Sequence, residues 1–355
     1  NSLRNSFMRI AYIITHLGQT GVNNVVLDLV KVMNAHGHEC DVFYLETVKD
    51  TMTYPCGTIK LKSLWDKFDF DSFDVVHSHG LKPDLYVMIN KPLRTNTLFV
   101  STLHCYVFQD FKDLYGTWKG FLFGCLFLIT KIRHGKIVAL SNDMEKYYSK
   151  YYGRKRLTYA YNTRILDRTR VLTDVERSEL MRFRSDGVLI GMNCVLLFRK
   201  GVDIMIKALS HLPDKYKLFI VGDGPCRRLF VDMVDKYELG DRVFFAGKRN
   251  DAYRYLSLYD IYALPSRSEG FPLALLEAAS YGCKVVCSDL SVIKETFIDK
   301  EVSMFHLPDE NDLTKAVLRV DNGMKLSENI ERKFEKSYSS SAFYDKYYNI
   351  YTRQL

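Results

Sequence analysis

The stretch DIYALPSRSEGFPLALLEAASYGCKVVCSD, residues 260–289, reads as strand, helix, strand. DIYALPS (260–266) is a buried apolar run, and CKVVCSD (283–289) is a second. Pro272 suits the first turn of a helix, where its fixed φ and missing N–H are tolerated. Gly282 suits the residue just past a helix end. The expected helix spans about 273–281, with Leu273, Leu276 and Ala279/Ser280 as its buried stripe. Two strands joined through a helix within about thirty residues form a βαβ unit, which requires a parallel sheet.

Glu269 and Glu277 stand eight positions apart in this stretch. At about 100° per residue they would sit roughly 80° apart around a helix, so they are not a stacked pair. Glu269 instead falls in the loop before the helix and Glu277 inside it. That loop leaves the carboxyl end of a strand, the edge where open α/β sheets bind ligands.

The same alternation runs along the chain. MRIAYIIT (8–15), CDVFYLE (40–46), DVVHSH (74–79), TLFVSTLH (97–104) and KIVALS (136–141) read as strands of one doubly wound domain. Val25, Val26, Leu29, Val32 and Met33 recur at helical spacing in 23–37. A charged helical stretch at 173–184 reads as the interdomain region. Beyond it come strands 187–193, 216–224 and 242–247, with helices at 201–211, 225–239 and 251–258. This is a second α/β domain of similar size. The aromatic tail SSAFYDKYYNIYTRQL (340–355) reads as a helix whose Phe343, Tyr347 and Ile350 can pack on either domain.

A chain of 355 residues is long for one core and comfortable for two. The longest apolar run, GFLFGCLFLIT (120–130), is too short to span a bilayer. Residues 1–7, NSLRNSF, read as a tail or cloning remnant, and no signal peptide is recognised. Eight cysteines are scattered without zinc-like pairing, which implies reduced thiols in a cytoplasmic protein. The net charge of +8 is uneven: residues 1–165 carry 21 basic against 14 acidic side chains, the rest 29 against 28. The excess clusters at TKIRHGK (130–136) and YGRKR (152–156). A basic face beside the apolar run suits anionic lipid headgroups. The alternative is a buried helix followed by a solvated basic stretch. No nucleic-acid module accompanies the charge, so nucleic acid is not an expected partner.

Four signals occur in order in the second half: FRKG (198–201), VGDGP (221–225), RVFFAG (242–247) and LPSRSEGFPLALLEAASYG (264–282). Together they resemble the C-terminal domain of the GT-B glycosyltransferases of family 4, a retaining nucleotide-sugar group whose E-x7-E motif matches Glu269 and Glu277. The first half resembles the family more weakly, through GQTGVNNVVLDL, DVVHSH, STLH, ALS and YNTRI. The implied fold is α/β, with two doubly wound Rossmann-like domains facing each other across a cleft. Residues 8–165 would form the acceptor-side domain and 166–340 the nucleotide-sugar domain. A C-terminal helix, 341–355, would pack back on the first.

The resemblance also implies roles. Lys200, with Arg199 beside it, would hold the departing diphosphate, since cations aimed at developing charge are a large catalytic term. The amides of Gly270, Phe271 and Leu273, at a helix start marked by Pro272, would add an anion site. Glu277 would bind the ribose and Glu269 the donor sugar. His104 would reach that sugar from the first domain, and Gly21 would lie near the donor phosphates. Gly222 and Gly224 suit a tight strand-to-helix turn. His77 and His79 could suggest a metal pair, but no third ligand is evident and the family is metal-independent, so no cofactor is expected. The chain departs from the family at GMNCVLLFRKG (191–201), where Met192 and Asn193 stand near an expected arginine. Either Arg199 replaces it or the diphosphate grip is built differently.

The reading is thus a cytoplasmic retaining hexosyltransferase of cell-surface polysaccharide or glycolipid synthesis, peripheral at a membrane face. Its donor would be a UDP-sugar ahead of GDP- or ADP-sugars, its acceptor a glycan or lipid-linked glycan. A rival is an inactive nucleotide-sugar-binding scaffold of the same fold. A dinucleotide-dependent oxidoreductase is disfavoured, because no G-x-G-x-x-G follows the first strand.

Overall fold

The apolar runs become parallel strands in a computed structural model that describes residues 7–322 and 326–352, with Asp113 as backbone only. Residues 1–6 of the expected tail and 353–355 of the expected last helix lie outside the described residues. The chain divides into two units, one running to Ile165 and resuming at Ser339, the other spanning Leu166–Tyr338.

The first unit holds β1 (Arg9–His16), β2 (Glu39–Glu46), β3 (Gly57–Lys60), β4 (Val75–His79), β5 (Leu98–Thr102), β6 (Lys136–Ala139) and β7 (Leu157–Tyr159). They form one parallel sheet in the order β3-β2-β1-β4-β5-β6-β7. Every residue of β4 and β5 is buried, as expected where helices cover both faces. Its helices are α1 (Gly21–Ala35), α2 (Leu81–Asn90), α3 (Val107–Tyr115), α4 (Thr117–Ile129) and α5 (Asn142–Tyr148). Thr20 caps α1 by accepting the Asn23 N–H at 3.2 Å. The C-terminal helix Ser340–Tyr351 belongs to this unit and packs against α1, burying Phe343, Tyr344, Tyr347, Ile350 and Tyr351.

The second unit contains β8 (Val188–Asn193), β9 (Tyr216–Val221), β10 (Val243–Gly247), β11 (Ile261–Leu264), β12 (Val285–Ser288) and β13 (Ser303–Phe305). Their order is β10-β9-β8-β11-β12-β13, again all parallel. Its helices are α6 (Asp174–Arg184), α7 (Val202–His211), α8 (Arg227–Lys236), α9 (Leu273–Ser280), α10 (Ser291–Thr296), α11 (Glu310–Asp321) and α12 (Ser327–Ser337). In both sheets the strand order reverses beside the first strand, between β1 and β4 and between β8 and β11. The crevice at the carboxyl ends of such a strand pair is where doubly wound folds take ligands.

Several local expectations change. The charged stretch at 173–184 is no linker: a capping box of Thr173 and Glu176 starts α6, and Glu176 pairs with Arg254 at 2.9 Å inside the second unit. Residues Ala252–Leu258 form a 3-10 rather than an α-helix. In α9 the buried side chains are Leu275, Leu276, Ala278, Ala279 and Ser280, with Leu273 only half-buried. The helix lies between the sheet and α12, so its apolar face is wider than one stripe. The buried-helix alternative for 120–130 also fails. Only Gly120, Gly124 and Phe127 of α4 are buried, while Trp118, Phe121 and Leu122 are 87%, 60% and 68% exposed. The glycines let α3 approach: a Cβ on Gly120 would lie 2.6 Å from the Phe111 carbonyl oxygen, and one on Gly124 2.6 Å from the Phe108 ring.

A fully buried ion pair ties α2 to the turn after α4. Lys131 Nζ lies 2.7 Å from Asp84 Oδ2, and Ser78 of β4 donates to Asp84 Oδ1 at 2.6 Å. Removing one member of such a pair leaves an uncompensated charge in the interior. Lys131→Met is therefore expected to cost about 3–5 kcal/mol in equilibrium urea unfolding, with Lys131→Met/Asp84→Leu recovering most of it. A single-variant loss below about 1 kcal/mol would show that water reaches the pair.

Candidate functional site

The strand-order reversal of the second sheet brings two loops together, one after β8 and one after β11. The first closes with a 3-10 turn, Phe198–Lys200, followed by Gly201 in the left-handed conformation (φ 69°, ψ 22°). A Cβ on Gly201 would lie 1.8 Å from the Pro265 carbonyl oxygen, so only glycine lets the loops touch here. Arg267 of the second loop then fastens them. Its amide donates to the Arg199 carbonyl at 2.7 Å, and its guanidinium lies 4.0 Å over the Phe198 ring. The same guanidinium grips both oxygens of Asp203, at the start of α7, at 2.7 and 2.6 Å.

On this frame Lys200 Nζ donates to Glu269 Oε1 at 2.6 Å. Glu269 is 9% exposed, and Arg199 Nη1 stands 3.9 Å from its other oxygen. Burial alone would raise the Glu269 carboxyl; the Lys200 charge and hydrogen bond, with Arg199, outweigh it and hold the group below its ordinary value of 4.5. Its ionised form thus stabilises the fold above pH about 4.5, a contribution lost as pH falls through the lower folded-state value. Arg199, with its side chain 42% exposed, has a free run to solvent that Lys200 lacks.

The other residues expected at a donor site lie on the loops and the helix that follow β9 and β11. Gly270 is half-buried, and Phe271 is buried with its ring edge-on to Tyr338, so only its backbone can serve an anion. Pro272 caps α9 from just outside rather than from its first turn, and the first turn, opened by Leu273, carries no acidic residue. Glu277 sits half-buried one turn further along α9. Gly222 and Gly224 press on backbone: a Cβ would lie 1.8 Å from the Cys194 oxygen and 2.7 Å from the Leu196 oxygen. At the departure from the family pattern, Met192 is core. Asn193 is clamped between the Ala252 carbonyl at 2.9 Å and the Tyr259 hydroxyl at 2.8 Å.

In the first unit, Gly21 opens α1 at the carboxyl end of β1, and Thr20 spends its hydroxyl on the cap. His104 lies two residues past β5, with Nε2 3.0 Å from His79 Nδ1. Burial lowers the His104 imidazole to about 4, so it is neutral at neutral pH. Both ring nitrogens of His77 are engaged, with the Tyr351 hydroxyl at 2.8 Å and Thr102 Oγ1 at 2.7 Å, leaving none for a metal. Among the described residues no group of three or more His, Cys, Asp or Glu could hold a metal ion. Asn162 of YNTRI is buried, and neither polar atom of its side chain has a hydrogen-bond partner among the described residues. The sequence reading missed the Arg267–Asp203 clamp and the His79–His104 pair.

A family model described as "Glycosyltransferase Family 4" matches residues 19–168, and one described as "Glycosyl transferases group 1" matches 181–337. The chain is 29% identical over 352 residues to the O-antigen biosynthesis glycosyltransferase WclY of Escherichia coli, covering 97% of this chain and 98% of that protein. A sucrose-phosphate synthase from Thermosynechococcus elongatus superposes with a TM-score of 0.81 at 18% identity, over 98% of each chain. HepE of Anabaena, solved in complex with UDP-glucose, gives a TM-score of 0.77 at 16% identity over 98% of this chain and 100% of its own. These two likenesses speak to the fold.

The contact of Gly201 with Pro265 has a control in the same unit. Gly247 also has a positive φ, 73°, but a Cβ there would meet nothing within 4 Å. Gly247→Ala is expected to cost about 1–2 kcal/mol, the left-handed strain alone. Gly201→Ala should cost more, as read by urea unfolding; equal costs would mean that the loops are not in contact.

Proposed function

Since the chain belongs to the group 1 and family 4 glycosyltransferases, we propose that it moves a hexose-type sugar from a UDP-sugar to a hydroxyl of a glycan or lipid-linked acceptor, with retention at the anomeric carbon. The observation that carries this reading is the 2.6 Å Lys200–Glu269 pair at the strand-order reversal of the second sheet. It holds a cation and a carboxylate where a diphosphate and the sugar it carries would lie side by side. In the proposed step the bond from the anomeric carbon to the diphosphate oxygen breaks, its electron pair leaving with the nucleotide, while the acceptor hydroxyl oxygen bonds to that carbon and its proton passes to the departing diphosphate. Lys200 and Arg199 stabilise that charge, helped by the amides at the start of α9. Glu269 accepts hydrogen bonds from sugar hydroxyls and Glu277 from the ribose; the family resemblance would add His104 for the sugar and Gly21 for the phosphates. The nucleotide sugar is a substrate, and these side chains carry the diphosphate charge in the proposal.

The O-antigen role of WclY supports synthesis of a cell-surface polysaccharide, and the UDP-glucose complex of HepE supports a uridine donor. Such acceptors suggest work at the cytoplasmic face of a membrane. Among the described residues no helix is long and apolar enough to cross one. Support for peripheral contact comes from α4, whose exposed Trp118, Phe121 and Leu122 stand with exposed Lys112 and Lys119 in the same α3–α4 hairpin.

UDP at about 100 times its Kd should add roughly 2.7 kcal/mol of stability. That is a thermal shift of several degrees, larger than with GDP or ADP. No shift with any of the three would remove the donor-binding reading. Glu269→Gln should still bind UDP, since it frees Lys200, yet lose about 10²–10³ in transfer rate; unchanged turnover would sink its role. Sedimentation with anionic vesicles should fall steeply with salt and be lost in Trp118→Glu/Phe121→Glu. Binding that ignores both changes would count against the α4 contact.

A further inference from the structure

Three histidines stand near the carboxyl end of the first sheet: His77 and His79 on β4, and His104 just past β5. His77 is fully committed to hydroxyl partners. His79 is not. Its Nδ1 lies 3.0 Å from His104 Nε2, while its Nε2 is buried with no hydrogen-bond partner among the described residues. Burial keeps both rings neutral at neutral pH, so each carries one N–H and one lone pair.

Only two arrangements satisfy the 3.0 Å contact. If His104 donates, His79 carries its proton on Nε2, a buried N–H with no acceptor. If His79 donates, its Nε2 is a bare lone pair against the interior. Orphaned buried N–H groups are rarer than under-satisfied acceptors, so the second arrangement is favoured. It leaves His104 with its proton on Nδ1, the ring nitrogen that His79 does not engage.

We propose that His79 is a positioning residue that donates from Nδ1 to His104 Nε2, so that His104 presents its Nδ1–H at the carboxyl edge of the first sheet and serves a hydroxyl oxygen as a hydrogen-bond donor rather than as a base. This deepens the function proposed above and rests on the sugar contact given there to His104. His79 supplies the tautomer and the ring orientation, which a lone imidazole in water would exchange freely.

The test is nitrogen-15 NMR of the histidine-labelled full chain without ligand, with the His104 signals identified by their loss in His104→Gln. The expected result is the Nδ1–H form at His104. His79→Asn, which can donate from the same place, should keep that form and keep kcat within a few-fold. His79→Leu should release His104 to the other tautomer and lower kcat by roughly tenfold to a hundredfold with KM for the acceptor unchanged. An Nε2–H form in the wild type, or a folded His79→Leu with wild-type kcat, overturns the proposal. Should His79→Leu not fold, the wild-type and His79→Asn spectra still decide it. Failure of UDP to stabilise the protein would remove the donor reading alone, because the tautomer is read on the free chain.

Discussion

The ion pair between Lys200 and Glu269 is the constraint on which the second unit's site depends. A carboxylate 9% exposed would ordinarily give up its charge; here a cation at 2.6 Å keeps it ionised. Holding both charges in so dry a place demands that their loops meet closely. That demand accounts for glycine at 201 against the Pro265 carbonyl, and for Arg267 bonding to both Asp203 and the backbone of Phe198. The pair is also poised electrostatically. In the proposed reaction an arriving diphosphate would compete with Glu269 for Lys200, while the sugar behind it would offer Glu269 hydroxyl donors in exchange. One set of charged hydrogen bonds would then replace another, with the groups already oriented.

The first unit uses the same strand order around a different interior. Beside its reversal point lie not an exposed cation but buried polar rings and a buried ion pair, Asp84 with Lys131. The Tyr351 hydroxyl on the C-terminal helix reaches His77, so a segment more than 270 residues distant in sequence completes the polar interior under the sheet edge. A loop residue such as His104 gains a fixed orientation from that interior, through His79.

Much of this was legible in the sequence, for reasons that differ by element. A central strand such as LFVST is buried on both sides, so it reads as a continuous run of apolar or small residues. The Glu269 and Glu277 spacing made sense only with one glutamate in a loop and one in a helix, and the two are so divided. The edge strand β3 was not legible: GTIK is exposed at all four positions and carries no period. The site's supports were hidden for a related reason. Arg267 and Asp203 are 64 positions apart, and His79 and His104 are 25 apart; no local pattern links them until the parallel sheet sets strands side by side.

The missing family arginine shows how the fold redirects chemistry. At the end of β8, Met192 is packed in the core and Asn193 is held by Ala252 and Tyr259. Neither can turn toward a ligand without surrendering those partners, and an arginine at Asn193 would bury a guanidinium where the Tyr259 hydroxyl now bonds. Any cationic function must then come from further along the loop. The 3-10 turn before Gly201 offers it, since its tight pitch sets Arg199 and Lys200 on consecutive corners near one carboxylate. Lys200 is pinned by Glu269 at 2.6 Å, whereas Arg199 meets the same carboxylate only at 3.9 Å and donates to the Ser268 carbonyl at 3.4 Å, with its side chain 42% exposed. In the proposed site a rigid cation beside a more mobile one would stand in for the strand-end arginine, and the difference between them follows from burial.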